Sequence, residues 1–376
     1  MDRRAFVGLM IINALLAFGN NFASSFNMIY LFNHYHMPIW SGAIYLGLGF
    51  TIAIFASVWM SWRPHLDPRN VMLVGLVFQI AEYAFFLTVR NGWALSFLAG
   101  VSFGLFYPLF WTPFNILMAQ MTEKTDRGVT YGAFFFVWPA ATFIAPFLGG
   151  LVIGFASYQV LFLIGIGIIG ATLVTIVAYR KYIPKDQEMR IRLDVIGRRN
   201  VIAVIGEGGF EGIFWVDVTL VAYMFTKSEY SIGALFSLFG LSAGIMAIIL
   251  GKVSDRIQNR RFFVAMSALT SIPCILLIYF AKNINSYALS NGLLEFASFV
   301  FPVLLFAILT DKLEKTKNDS VVSREYLLDI GRGSSIGVLM LMLYLGYTPQ
   351  QCFLLAIPFL LLGALAHEYR KAPATA

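Results

Sequence analysis

The sequence predicts an all-α membrane protein with twelve transmembrane helices in two six-helix bundles. Three observations carry that prediction. Hydrophobic residues make up 59% of the 376 and charged residues only 12%, against roughly 25% charged in an average soluble domain. Long apolar runs follow one another between short polar breaks, and the basic residues gather in alternate breaks. So little charge cannot cover a water-soluble surface, which excludes soluble enzymes, nucleic-acid modules and disordered chains.

A helix needs about 20 apolar residues to cross the hydrocarbon. Cutting at the polar breaks gives spans at 5–32, 40–62, 71–89, 93–121, 129–155, 158–179, 201–225, 231–250, 262–280, 286–310, 325–346 and 349–367. Continuous apolarity, without period-two alternation, excludes an outer-membrane barrel. The first run follows Arg3 and Arg4 as a signal peptide would. It is too long and too polar for a signal h-region, and reads as an uncleaved first span. Cys274 and Cys352 fall inside spans and read as small core residues, not as a disulfide or a zinc site.

Orientation follows from the 27 Lys and Arg residues. With the N-terminus inside, only Arg90, Lys227 and Lys282 fall in outer loops, and Arg332 falls within a span. The positive-inside rule then places both termini in the cytoplasm of a multi-pass plasma-membrane protein. The net charge of +7 is thus a topology signal. A polybasic lipid contact at 180–199 is a secondary reading.

The longest polar stretch, 180–200, divides the chain into a bundle at 1–179, a cytoplasmic linker and a bundle at 201–376. A shift of 188 or 189 residues lays Phe22 on Phe210, Asp67 on Asp255 and Pro113 on Pro302. Parallel repeats of this kind place a substrate site near the midplane between the halves, opened to each side by rocking.

The loop after span eight reads Gly251-Lys-Val-Ser-Asp255-Arg256-Ile-Gln258-Asn-Arg260-Arg261. It resembles the Gly-x3-Asp-Arg-x-Gly-x-Arg-Arg signature of the major facilitator superfamily, with Gln258 in place of the second Gly. Span five ends in Pro146-Phe-Leu-Gly149-Gly150, similar to the Pro-x-x-Gly-Gly ending of superfamily antiporters, with Ala145 replacing the usual Gly. The resemblance implies secondary transport by alternating access and, more weakly, the proton-coupled efflux branch. It also implies that the loop meets the start of span five near Arg127–Gly128.

In the first half the counterpart loop is Arg63-Pro-His-Leu-Asp67-Pro68-Arg69-Asn70, with Arg63 where the first Gly should stand. By symmetry it faces the start of span eleven. There Glu325 and Asp329 are four residues apart and Asp329 and Arg332 three, so they share a helix face. The expectation is a cytoplasmic gate in which Arg63 or Arg69 pairs with Glu325 or Asp329. Local pairing within span eleven is the competing reading.

Ionisable residues inside a bilayer are functional hypotheses by default. Span seven contains Gly206-Glu207-Gly208-Gly209-Phe210-Glu211-Gly212, with Glu207 about 9 Å and Glu211 about 15 Å from its inner end. The glycines should loosen the helix and let a neighbour approach. Glu295 lies at mid-depth in span ten, on one face with Asn291 and Ser298. Glu207, Glu211 and Glu295 are the proton-coupling candidates. Asp217 reads as reaching interfacial water, and Glu82 of span three as a packing or lipid-side residue.

Span one supplies a polar face of Asn13, Asn20, Ser24 and Asn27, and span four a line of Tyr107, Trp111 and Asn115. Asn20, Ser24, Asn27, the span-four line and Asn291 are the candidate cavity residues; hydrogen bonding between helices is the alternative.

A carboxylate that carries either a proton or a cationic substrate gives antiport by linkage. Apart from Arg332, no Arg or Lys lies within a predicted span, so multiply anionic substrates lack a counter-charge. The expected function is proton-coupled export of a small cationic or amphiphilic organic molecule. Uptake or facilitated diffusion of a neutral metabolite and lipid translocation are the alternatives. His34, His36, His65 and His367 have no metal-ligand pattern, and no Gly-x4-Gly-Lys-[Ser/Thr] loop occurs. Neither enzymatic activity, cofactor nor nucleic-acid partner is expected. The partners are the substrate, protons and membrane lipids, with the chain acting as a monomer.

Overall fold

The structure, a computed structural model, describes residues 3–63, 65–121, 127–185, 187–253, 259–310 and 317–366. Twelve spans follow one another. α1 runs through Arg3–Ala23, a 3-10 turn at Ser24–Phe26 and Asn27–Tyr35. Then come α2 (Trp40–Trp62), α3 (Pro68–Thr88), α4 (Gly92–Met121), α5 (Arg127–Phe155) and α6 (Tyr158–Tyr179). The second half has α7 (Arg198–Phe225), α8 (Glu229–Val253), α9 (Arg260–Tyr279), α10 (Ile284–Ser298 with Val300–Thr310) and α11 (Lys317–Tyr344). α12 closes the series as Pro349–Cys352, Phe353–Leu355 and Ala356–Gly363. Ten of the spans are long and apolar enough to cross a membrane on their own. The others are α7, which carries Glu207, Glu211 and Asp217, and the short, twice-broken α12.

The polar breaks in the sequence are helix caps. Asp67 accepts from Arg69 N at 3.0 Å with Pro68 at the first helical position of α3, and Ser157 accepts from Val160 N at 3.3 Å to start α6. Asn283 with Ser286 and Thr348 with Gln351 form capping boxes for α10 and α12. Each satisfies backbone N–H groups that the first turn leaves free. Gly346 makes the α11–α12 turn at φ 91°, a conformation that favours glycine.

Large aliphatic side chains such as Leu163, Val174, Leu276 and Leu277 stand exposed on α6 and α9, the faces a bilayer would solvate. Across the halves, α5 packs along α8 and α2 along α11. A Cβ on Gly150 would lie 2.8 Å from the Glu229 carbonyl oxygen, while one on Gly149 would press on the Phe22 carbonyl, so the glycine pair ending span five lets α5 approach α8 on one side and α1 on the other.

The linker is more than a polar tether. Its β2 (Gln187–Glu188) pairs antiparallel with β1 (His65–Leu66), His65 opposite Glu188 and Leu66 opposite Gln187. Met189 then inserts among Ile116, Ala119, Phe306, Val321 and Val322, fully buried between α4, α10 and α11.

Candidate functional site

A cavity of about 530 Å³ lies between the halves. Asn20 and Ser24 of α1 line it, as do Tyr107, Trp111 and Asn115 of α4 and Glu211 and Glu295 from the second half. Aromatic side chains, including Phe103, Trp138, Trp215, Phe236, Phe239 and Phe299, are the largest group in the rest of the wall. Asn27 and Asn291, expected in the wall, are instead fully buried behind it. Asn27 turns away because its carboxamide donates to Glu82 Oε1 at 2.8 Å.

Two ion-pair clusters join α7 to α11. Arg332 donates from Nε to Glu211 Oε2 at 2.9 Å and from Nη1 to Asp329 Oδ1 at 3.0 Å. Its guanidinium carbon lies 4.9, 5.1 and 5.4 Å from the rings of Trp215, Tyr107 and Phe50, within cation–π range. About two turns earlier on α11, Arg324 donates to Glu325 Oε1 at 2.9 Å and pairs closely with Glu207. Glycines make this proximity possible, since a Cβ on Gly212 would sit 2.8 Å from Arg332 Cα and one on Gly208 2.8 Å from Leu328 Cα. α7 itself stays continuous from Arg198 to Phe225; its glycines give close approach, not the expected loosening.

Arg324 corrects the sequence reading, which placed it before span eleven. α11 begins at Lys317, so Arg324 lies well inside the helix and is buried. The pocket region therefore holds two arginines, both engaged by carboxylates. Glu295 differs from the other acidic residues of the wall. Among the described residues, no hydrogen bond or ion pair engages its carboxylate.

The expected gate pairs do not form. Glu325 and Asp329 are taken by Arg324 and Arg332 on their own helix, the local pairing that competed with the gate. Arg69 instead folds back on Asp67 at 2.5 Å and donates to the Arg180 carbonyl at 2.9 Å, while Arg63 lies over Trp59 at 5.8 Å. Burial opposes ionisation of Asp67, but the Arg69 hydrogen bonds and the Arg69 and Arg180 charges outweigh it and hold the pKa below the usual value. Gly251 lies in the last turn of α8, and Arg260 and Arg261 open α9. Asp255 and Arg256 lie outside the described residues.

Two further expectations are corrected. Asp217 is fully buried instead of reaching the interface, because it lies on the side of α7 near Tyr287 of α10 and Cys352 of α12. Glu82 is neither lipid-facing nor surrounded by apolar packing. It is buried and accepts from Asn27, Tyr45 and Gln79. Gln79, three residues before Glu82 on an otherwise apolar helix, was the available signal; nothing marked Tyr45.

Polar contacts join the halves at both ends of the cavity. Away from the linker, Asn33 donates to Glu229 at 2.6 Å, Tyr158 donates to the same oxygen at 2.9 Å, and Tyr223 donates to Asn33 at 2.8 Å. At the linker end, Gln120 reaches Gln187 and, at 3.0 Å, Asn318. There the backbone N–H groups of Ile191 and Arg192 donate to Ser61 of α2 and Ser323 of α11 at 3.0 and 2.7 Å.

The sequence profile of the Major Facilitator Superfamily matches residues 6–199 and, a second time, residues 200–375. A Bacillus subtilis (strain 168) protein described as uncharacterized protein YqgE is 23% identical over 291 residues, 72% of this chain and 67% of its own length. The human organic anion transporter MFSD10 (TETRAN) superposes with a TM-score of 0.68 at 15% identity, over 96% of this chain and 98% of that one. A POT family transporter in complex with a thioalcohol-conjugated peptide gives 0.70 at 14%, over 96% and 94%. Another such structure, in complex with 5-aminolevulinic acid, gives 0.69 at 14% over the same shares. These solved structures establish a common fold, and the doubled profile match covers nearly the whole sequence. The chain is thus a member of the Major Facilitator Superfamily, a multi-pass membrane transporter.

Proposed function

We propose that the protein exchanges protons for a small amphiphilic organic cation, exporting it across the plasma membrane. Units 1–179 and 201–376 rock about the cavity, the 180–200 linker and both termini are cytoplasmic, and a single copy suffices. Glu295 carries the reading. Its carboxylate lines an aromatic cavity with no cationic partner among the described residues, while the acids around Arg324 and Arg332 are already paired. A lone carboxylate among ring faces suits an organic cation, since charge and cation–π attraction act together. The same carboxylate accepts a proton when the cation leaves, and that exclusion couples the two fluxes.

A second reading has its own support. Protonation of Glu211 would free the Nε and Nη2 edge of Arg332, whose Nη1 stays on Asp329 and whose guanidinium already sits in a box of three rings at the cavity wall. Arg332 would then accept a carboxylate-bearing substrate. The structural relatives described as an organic anion transporter and as binding 5-aminolevulinic acid lend that reading weight.

Proteoliposomes separate the two. With an acidic lumen, uptake of labelled 1-methyl-4-phenylpyridinium should exceed that of protein-free vesicles and disappear in Glu295→Gln. Uptake that ignores both the pH gradient and Glu295→Gln rejects the cation antiport reading. Uptake of labelled 5-aminolevulinate that is driven by external acid and lost in Arg332→Lys favours the second reading.

A further inference from the structure

Glu82 is an acid that the proposed exchange leaves unused. It is fully buried on α3, in the half opposite Glu295. Oε1 accepts from Asn27 Nδ2 at 2.8 Å and from the Tyr45 hydroxyl, and Oε2 accepts from Gln79 Nε2 at 3.0 Å. All three partners are uncharged. Donors reach both oxygens, but a buried carboxylate ionises at a heavy cost unless a cation joins it.

The groups around it are those an ammonium needs. Gln79 Oε1 and Asn27 Oδ1 are buried acceptors with no donor. Each belongs to a carboxamide whose nitrogen already points at Glu82, so the free oxygens lie close to the carboxylate. An ammonium has three donors and no acceptor, which matches one carboxylate and two amide oxygens. Access is short, because Tyr45 and Gln79 both line the cavity while Glu82 stands directly behind them. Turning the Tyr45 ring aside vacates the Oε1 position that its hydroxyl holds. Tyr83, the nearby ionisable neighbour, is occupied by Ser24 at 2.8 Å.

We propose that Glu82, with Gln79 and Asn27 behind Tyr45, is a second cation-accepting pole of the transport site and takes the far amino group of a diamine-type dication. The proposal rests on Glu295 receiving the first cationic group. Glu82 lies about 9 Å from the Thr88 end of α3, and Glu295 about 16 Å from the Ile284 end of α10. The poles therefore differ in depth as well as lying in opposite halves. The cavity that Tyr45, Gln79 and Glu295 line also has Phe103, Tyr107, Phe236 and Phe239 in its wall, surfaces suited to an apolar spacer between two amines.

The test is ligand-induced thermal stabilisation of the purified full chain. The probes are α,ω-diaminoalkanes of four to ten carbons, each compared with the n-alkylamine of equal length. At the best length, the diamine should reach half-saturation at a concentration at least tenfold below its monoamine. Glu82→Gln should bring the diamine to the monoamine level and leave the monoamine unchanged, whereas Glu295→Gln should weaken both. Gln79→Met, which removes both the acceptor oxygen and the Nε2 donor to Glu82 and keeps the length, should likewise bring the diamine to the monoamine level, and decides the question if Glu82→Gln does not fold. Equal binding of diamines and monoamines overturns the proposal, as does full diamine affinity in Glu82→Gln or equal weakening of both amines there. Failure of the underlying cation reading looks different, since neither amine then responds to Glu295→Gln.

Discussion

Asn33 of α1 donates to Glu229 of α8 across 2.6 Å, tying the two halves together at the end away from the linker. Tyr158 shares the carboxylate, and the Lys227 ammonium lies 3.3 Å from the Tyr223 ring centroid beside it. One acidic side chain of the second half thus takes donors from two helices of the first, α1 and α6. Glu229→Ala should shift the protein towards conformations open at this end. Spin labels replacing Arg90 and Lys282 should report longer distances in the variant. An unchanged distance distribution would show that apolar packing alone holds the end shut.

The approach of α7 to α11 depends on missing Cβ atoms. A methyl at Gly208 would press on Leu328, while one at Gly170 meets nothing within 4 Å. Gly208→Ala should therefore lower the melting temperature clearly, and Gly170→Ala should leave it unchanged or raise it slightly, given the better helix propensity of alanine. Similar behaviour of the two variants would contradict the tight packing described.

Removing one partner of a buried ion pair leaves the other charge uncompensated, at about 3–5 kcal/mol. Arg324→Leu should accordingly destabilise the fold severely by stranding Glu207 and Glu325. Adding Glu207→Leu should recover part of the loss, because the most buried acid is then apolar. Calorimetry on the two variants checks this; a double variant less stable than the single would overturn it.

Asp67 gives a pH signature outside the spans. Its pKa is held below the ordinary value, so the folded state favours the ionised form. Its contribution is fully present above the unfolded value of about 3.9 and is lost as pH falls through the lower folded value. The melting-temperature difference between wild type and Asp67→Asn should hold steady at neutral pH and shrink below about pH 4. A difference that grows on acidification has the wrong sign for this linkage.

Met189 is buried among α4, α10 and α11. Met189→Asp places a charge there that has no counter-ion among its apolar neighbours, and should open the linker end. A cysteine at Ile116 should then react with a polar maleimide several-fold faster than in the unaltered linker, the native Cys274 and Cys352 being buried. No change in rate would mean that β2 and Met189 lie over the mouth without sealing it.

Much of this architecture was legible because a bilayer punishes polar backbone and side chains alike. Twelve apolar runs and their capped breaks follow directly from that penalty. The cavity line Tyr107–Trp111–Asn115 was legible for a related reason, since polar residues at helical spacing cannot face lipid cheaply. Partner choice was not legible. Periodicity places Glu325, Asp329 and Arg332 on one face, but it cannot say that Arg324 turns inward to Glu207 or that Arg69 folds back on Asp67. Those outcomes depend on helix rotation and on where α11 begins, a boundary that polar residues at its first turns disguise. Glu82 was misplaced for the same reason. Its donors come from α1 and α2 as well as from Gln79, and no one-dimensional pattern brings those helices together.

Arg332 takes both carboxylate partners, Glu211 and Asp329, and the Trp215 ring from its own half. Phe50 and Tyr107, the other two rings of the box, belong to the opposite half. Relative motion of the halves would thus slide a neutralised guanidinium across aromatic faces without pulling opposite charges apart. Each ring contact is worth about 0.5–2 kcal/mol, far less than separating a buried ion pair. In the proposed rocking the contact would serve as a bearing, over which one half turns on the other while its salt bridges stay made.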